Sequence, residues 1–226
     1  MCGIAGVLHL DPNRPSDPDL LSRMTGVLAH RGPDDEGFYR NGPVGLGHRR
    51  LSIIDLSGGA QPMANEDETV WIVFNGEIFN FPDLRRDLEA KGHKFKTGSD
   101  TECIVHLYEE HGTGCAERLV GQFAFAIWDE RKRRLLLARD HVGIKPLFYC
   151  FDDQRILFAS EMKAILEDES IDRKLDPDAF LDYLTYKYVP APRTIFRGIN
   201  KLPAGHWLLI EEGRVQVNDK VVLEKG

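Results

Sequence analysis

Short apolar runs suited to strands alternate with helical patterns from one end of this chain to the other, and no linker interrupts them. Residues 4–10, 70–74, 123–128, 135–138 and 156–159 read as strands, with shorter ones near 207–210 and 214–217. The first helix is expected to open with Ser16 as N-cap, followed by Pro18 and Asp19. It carries Leu20, Leu21, Met24, Val27 and Leu28 on one face until His30-Arg31-Gly32-Pro33 stops it. A second helix is expected from Asn80, with Pro82 in its first turn and Gly92 beyond its end. A third follows Ser99, where Glu102 has capping-box spacing and Ile104, Leu107 and Tyr108 face inward. Late helices fall at 161–166 and 177–186. The 70–74 strand is apolar without alternation, as a strand covered on both faces would be, and ends at the turn-prone pair Asn75-Gly76. Such mixed elements suggest a layered α+β architecture. With 226 residues, 42% of them apolar, and no repeat or low-complexity tract, we expect one domain over 1–226. Residues 218–226 form a charged tail or the start of a linker.

The formal charge of −7 leaves no uniform positive field for a polyanion, so a nucleic-acid partner is not expected. The Arg131-Lys132-Arg133-Arg134 run belongs to the link between two strands and reads as a solvated hairpin tip. No apolar run approaches the roughly 18–20 residues that span a bilayer, and the N-terminus lacks a secretory pattern. The expectation is a cytoplasmic chain with no membrane partner. Cys2, Cys103, Cys115 and Cys150 form no CxxC pair and no zinc-finger spacing with histidines, so neither a disulfide framework nor a metal is expected. Cys103, Cys115 and Cys150 have the surroundings of inert small hydrophobes.

Cys2 differs. Once Met1 is removed, it carries a thiol and a free α-amine on one carbon, a nucleophile with its own base. An amine of pKa about 7.7–8.0 can accept the proton of a thiol of pKa about 8.5 near neutrality. A cysteine that cleaves an amide also needs donors for the oxyanion, and the Asn75 side chain with the Gly76 N–H can supply two. The same pair could equally make an ordinary turn. Arg50, Glu77 and Asp100 would suit the carboxylate and ammonium of a free amino acid, although each alone also suits a surface ion pair. Their occurrence together with Cys2 makes the case.

Nine blocks then occur in the order of a known family. They are Cys2-Gly3-Ile4-Ala5-Gly6, His30-Arg31-Gly32-Pro33-Asp34, Arg50-Leu51-Ser52-Ile53-Ile54-Asp55, Gln61-Pro62-Met63, Asn75-Gly76-Glu77-Ile78-Phe79-Asn80, Thr97-Gly98-Ser99-Asp100-Thr101-Glu102, Gly121-Gln122-Phe123-Ala124-Phe125-Ala126, Arg139 through Leu147, and Ser160-Glu161-Met162-Lys163. The chain resembles the class II glutamine amidotransferases, and among them the N-terminal glutaminase domain of asparagine synthetases. The resemblance implies an N-terminal nucleophile hydrolase fold, a four-layer αββα sandwich with two antiparallel sheets. It implies Cys2 as nucleophile with its amine as base, and Asn75 and Gly76 as the oxyanion hole. Arg50 would hold the glutamine α-carboxylate, Glu77 and Asp100 its α-ammonium, and main-chain groups around Ile53 and Ile54 would line the site. The His30–Asp34 and Arg139–Leu147 blocks are expected to position loops.

The implied activity is hydrolysis of L-glutamine to L-glutamate and ammonia, passed to a ligase step that amidates aspartate. That step belongs to an ATP-dependent synthetase domain, expected as a partner in the full-length protein and absent from these residues. Its Ser-Gly-Gly-x-Asp-Ser phosphate loop does not occur, since Ser57-Gly58-Gly59-Ala60-Gln61-Pro62 lacks the Asp-Ser. No cofactor is therefore expected on this chain, ATP and Mg belonging to the other domain. A homodimer is a further expectation. A synthetase-like relative with another acceptor, and a non-catalytic glutamine-binding module, remain the alternatives.

Overall fold

The computed structural model describes residues 1–52, 58–211 and 214–218. Its strands in chain order are β1 (Gly3–His9), β2 (Asp35–Asn41), β3 (Val44–Arg50), β4 (Met63–Ala64), β5 (Val70–Ile78), β6 (Gly121–Asp129), β7 (Arg134–Arg139), β8 (Phe148–Phe151), β9 (Arg155–Ala159), β10 (Ile199–Lys201), β11 (Trp207–Glu211) and β12 (Arg214–Asn218). The helices are α1 (Pro18–Gly26), α2 (Phe81–Ala90), α3 (Asp100–His111), α4 (Met162–Ile165) and α5 (Pro177–Tyr186). One sheet has the order β10-β8-β9-β1-β3-β2 and the other β12-β11-β7-β6-β5-β4, and the pairings are antiparallel throughout.

Side-chain alternation sorts each strand between two apolar layers. Along β1, Ile4 and Leu8 enter the layer between the sheets, with Leu46, Val73, Ala124, Ala126 and Phe158. Ala5 and Val7 point the other way, to Leu20, Met24 and Leu28 of the α1 segment and Ala164 and Ile165 of α4. On the far side, Ile72, Phe74 and Ile78 of β5 meet Ile104, Leu107 and Tyr108 of α3. Helices, sheet, sheet and helices thus form the expected four layers. No helix among the described residues is long and apolar enough to cross a membrane.

Several local expectations change. The N-cap of α1 is Asp17, whose carboxylate accepts the Asp19 N–H. Ser16 is buried instead, its hydroxyl donating to Val44 O at 3.0 Å. Asn75 and Gly76 make no turn, because β5 continues through them, paired with Ala124 and Phe123. Ser99 caps α3 through the Thr101 N–H, but Glu102 reaches further upstream, to the amides of Lys96 (2.7 Å) and Thr97 (2.8 Å). β2 and β3 carry no apolar run. β2 is an edge strand, and β3 uses Gly45 and Gly47 where any Cβ would crowd Leu21 and Thr25 of α1. The link between β6 and β7 is a hairpin tip, where exposed Arg131 pairs with Asp67. Cys103, Cys115 and Cys150 are buried free thiols, and burial pushes the first two up to about 12.

One polar contact ties the two sheets together. His48 of β3, fully enclosed, donates from Nε2 to Phe74 O of β5 at 3.1 Å, because a carbonyl can only accept. Burial, with the Arg50 guanidinium acting in the same direction, lowers its pKa from 6.5 to about 4. Below pH 6.5 the unfolded chain takes up a proton that the folded chain refuses, so stability falls as pH drops from 6.5 to 4. We expect this loss to reach about 3 kcal/mol. Urea unfolding across that range should show it as the pH-dependent part of the difference between wild type and His48→Gln, which retains a donor without the titration.

Candidate active site

Alternation also decides which side chains meet at one end of the sandwich. Cys2 precedes β1 with the parity of Ile4, Arg50 ends β3 with the parity of Leu46 and His48, and Asn75 sits in β5 with the parity of Val73. All three therefore face the space between the sheets. A cavity of about 140 Å³ opens there, and Cys2, Arg50, Asn75, Gly76, Glu77 and Asp100 all line it. The structure brings every predicted residue of the site together except Ile53 and Ile54, whose main-chain groups were expected to line it and which lie outside the described residues.

The cysteine is held through its backbone and its sulfur. Arg31 Nε donates to Cys2 O at 2.9 Å while its Nη1 pairs with Glu161 at 2.9 Å. The Ser160 hydroxyl accepts the next-but-one amide, Ile4 N, at 3.0 Å. The Leu51 amide approaches Cys2 Sγ at 3.4 Å. The His30–Asp34 block, expected to position a loop, thus reaches Cys2 directly through Arg31.

Opposite it, Asn75 is almost entirely buried, yet its Nδ2 has no acceptor among the described residues. A buried amide donor beside a cavity is available to an acceptor atom of whatever ligand enters it. Gly76 follows with its own N–H. A Cβ there would lie 2.2 Å from Gln122 O and 2.8 Å from Phe123 Cα, so only glycine lets β5 and β6 pair at this point.

The third wall is the N-terminal end of α3. Asp100 is buried and accepts the Ile78 N–H at 2.9 Å, which fastens the helix to β5. Burial raises its carboxyl above the ordinary value and the Glu77 charge adds to that, against the Ile78 bond that lowers it. Two carboxyl groups that repel each other beside one cavity suit a ligand carrying an ammonium group. Arg50 supplies the opposite charge on the β3 side and is itself engaged.

Other lining residues fall within the family blocks, but the resemblance assigns them no role in the site. Gln61 accepts the Phe74 N–H at 2.7 Å and turns its amide toward Thr101. Gln122 shares the inward parity of Ala124. Lys145 arrives from a loop fixed by buried Asp140, which accepts the amides of Ile144 and Lys145, each at 2.9 Å. Arg139 clamps the same loop by donating to Lys145 O, Gly143 O and Leu202 O. Lys145 Nζ lies 3.2 Å from Met1 Sδ, so the first residue also occupies this cavity.

A family model described as a glutamine amidotransferase domain matches residues 1–220. Asparagine synthetase (glutamine-hydrolyzing) 1 of Bacillus subtilis (strain 168) is 42% identical over 207 residues, 91% of this chain and 33% of the relative. Asparagine synthetase (glutamine-hydrolyzing) 2 of Arabidopsis thaliana is 45% identical over 169 residues, 74% of this chain and 29% of the relative. The chain spans about a third of the length of the curated relatives it matches. Among solved structures, the glutamine phosphoribosylpyrophosphate amidotransferase from B. subtilis, complexed with ADP and GMP, superposes with a TM-score of 0.69 at 20% identity, covering 99% of this chain and 50% of that one. A structure described as the allosteric regulatory enzyme of purine biosynthesis does so with a TM-score of 0.71 at 19% identity and the same coverage. These likenesses establish the fold as the N-terminal nucleophile hydrolase sandwich.

The close approach at Gly76 generates a direct test. Gly76→Ala should separate β5 from β6 at this point and lower the urea unfolding free energy by about 2–3 kcal/mol. An unchanged midpoint would show that the two strands can part there without cost.

Proposed function

As the chain belongs to the glutamine amidotransferase domain family, we propose that it hydrolyses L-glutamine to L-glutamate and ammonia through a thioester on Cys2. The observation that carries this reading is the single cavity that joins Cys2, the unpartnered Asn75 amide, Arg50 and the Glu77–Asp100 pair. A zwitterion with a side-chain amide matches it group for group. Arg50 takes the α-carboxylate, Asp100 and Glu77 the α-ammonium, and the amide carbon then faces the sulfur.

Removal of Met1 exposes the α-amine of Cys2. This amine accepts the thiol proton, and the sulfur adds to the amide carbon of glutamine. The resulting oxyanion takes hydrogen bonds from Asn75 Nδ2 and the Gly76 N–H. The protonated amine gives its proton to the leaving nitrogen and ammonia departs, leaving a γ-glutamyl thioester. Water, deprotonated by the same amine, cleaves the thioester and returns the thiol. A catalytic thiol also calls for a reducing compartment, which supports a cytoplasmic location.

The ammonia is used, in this reading, by a synthetase domain outside these residues that binds ATP and Mg and amidates aspartate. Support comes from relatives named as glutamine-hydrolyzing asparagine synthetases and about three times as long as the matched segment. Residues 1–226 then serve as the glutaminase unit, and two such proteins pair as a homodimer.

Three measurements test the assignment. The intact mass of the active protein should lack one methionine residue. Cys2→Ala should release no ammonia from glutamine while keeping the wild-type circular dichroism, and turnover near the wild-type level would remove Cys2 from the mechanism. Asn75→Ala should lower kcat by about 10² to 10³, the loss of about 3 kcal/mol expected for one oxyanion donor.

A further inference from the structure

Away from the cavity, at the other end of α3, four side chains from three separate segments converge. Glu66 comes from the turn between β4 and β5, His93 from the link between α2 and α3, and His106 and Glu109 from adjacent turns of α3. One nitrogen or oxygen from each lies within 4.8 Å of all the others. His106 Nδ1 is 3.0 Å from Glu109 Oε2 and 3.3 Å from Glu66 Oε2. His93 Nδ1 is 3.3 Å from Glu66 Oε1 and 3.8 Å from Glu109 Oε2. Ligands about 2.0–2.1 Å from a tetrahedral ion stand about 3.4 Å apart, and the closest approaches in this group, between 3.0 and 3.8 Å, bracket that spacing, with Glu66 turning one oxygen to each ring.

The outer shell has part of the form that metal-bound imidazoles require. Both rings direct Nδ1 inward, and His93 turns Nε2 to a hydrogen bond with a further carboxylate, while Glu102 stands near the outer nitrogen of His106 without bonding it. His93 Nε2 is 3.2 Å from Glu110 Oε1, and His106 Nε2 is 3.7 Å from Glu102 Oε1. Carboxylates on the outer nitrogens fix ring orientation and raise ligand basicity. Glu109 is oriented as well, since buried Asn65 donates to its other oxygen at 2.7 Å. His106 is enclosed by the Phe95 ring at 4.7 Å, while Glu66 and Glu109 keep a path open to solvent. Against the four carboxylates of residues 66, 102, 109 and 110 the structure sets Lys91, which is engaged with Glu110 Oε2 at 2.7 Å.

We propose that Glu66, His93, His106 and Glu109 bind one divalent first-row transition-metal ion, with zinc the best match to two imidazoles and two carboxylates. The ion joins the β4–β5 turn and the α2–α3 link to α3. Through Glu102, which holds the Lys96 and Thr97 amides, it also steadies the loop ahead of Asp100. Its role is structural. It lies outside the cavity, and its four ligands are distinct from the residues assigned to glutamine.

The test uses the full chain as Cys2→Ser, so that a thiolate at residue 2 cannot hold the metal, stripped with chelator and titrated with zinc or cobalt(II) chloride. One equivalent should bind with a Kd of about 10 μM or tighter, cobalt(II) should develop the visible absorption of a four-coordinate site, and a hundredfold excess over Kd should raise Tm by about 5–10 °C. His93→Ala, at a half-buried position, and Glu66→Gln, at an exposed one, should each weaken binding at least tenfold, while His111→Ala should leave it unchanged. No stoichiometric binding of zinc or cobalt(II) below about 100 μM would overturn the proposal, leaving the cluster an ion-paired network. Equal binding by the His93→Ala, Glu66→Gln double variant would overturn it too.

Discussion

The first strand is hydrogen-bonded on both sides. β1 lies between β3 and β9, so the part of a chain most prone to fray is fixed inside a sheet instead. Arg31 and Ser160 extend that grip to Cys2 O and Ile4 N, the last points before the chain end. A nucleophile at the start of a chain, as proposed for Cys2, is useful only if the chain cannot move there. Here the immobility comes from the same ladders that build the fold, so the site requires no scaffold of its own.

Pleat and pairing do the remaining placement. Residues 2, 50 and 75 are far apart in sequence but share inward parity, and they lie at one end because β3 pairs antiparallel to β1 and His48 ties β3 to β5 beside the opening. Ion-binding groups are added from the helix layer, with Asp100 carried in by α3 and anchored to Ile78 N. Close approach is as important as attraction. Gly76 lets β6 come near enough for Gln122 and Asn75 to share one wall, and the fully buried Asp140 holds the turn that delivers Lys145.

Where local chemistry decides, the sequence is readable. Asn80, Pro82 and Gly92 bracket α2, and the link from β6 to β7 is evident from apolar runs on either side of a charged turn. Where packing decides, it is not. β3 carries glycines because α1 rests on its backbone, and Asn75-Gly76 looks like a turn until β6 is seen alongside. The charged groups of the site were legible as types that complement a zwitterion, and the ordered blocks of a family added their roles. Gln61, Gln122 and Lys145 fall in those blocks without a role, since neither their type nor their spacing marks them as part of the cavity. His93 and His106 stand 13 positions apart, with Glu66 on another element, a spacing that no linear metal motif has.

The Asn75 amide gives the candidate site a readiness of its own. Its Nδ2 meets no acceptor among the described residues although the side chain is almost entirely buried, so that donor is left for whatever acceptor enters the cavity. Because β5 holds Asn75 within a paired ladder, an oxygen arriving there meets a donor already in place.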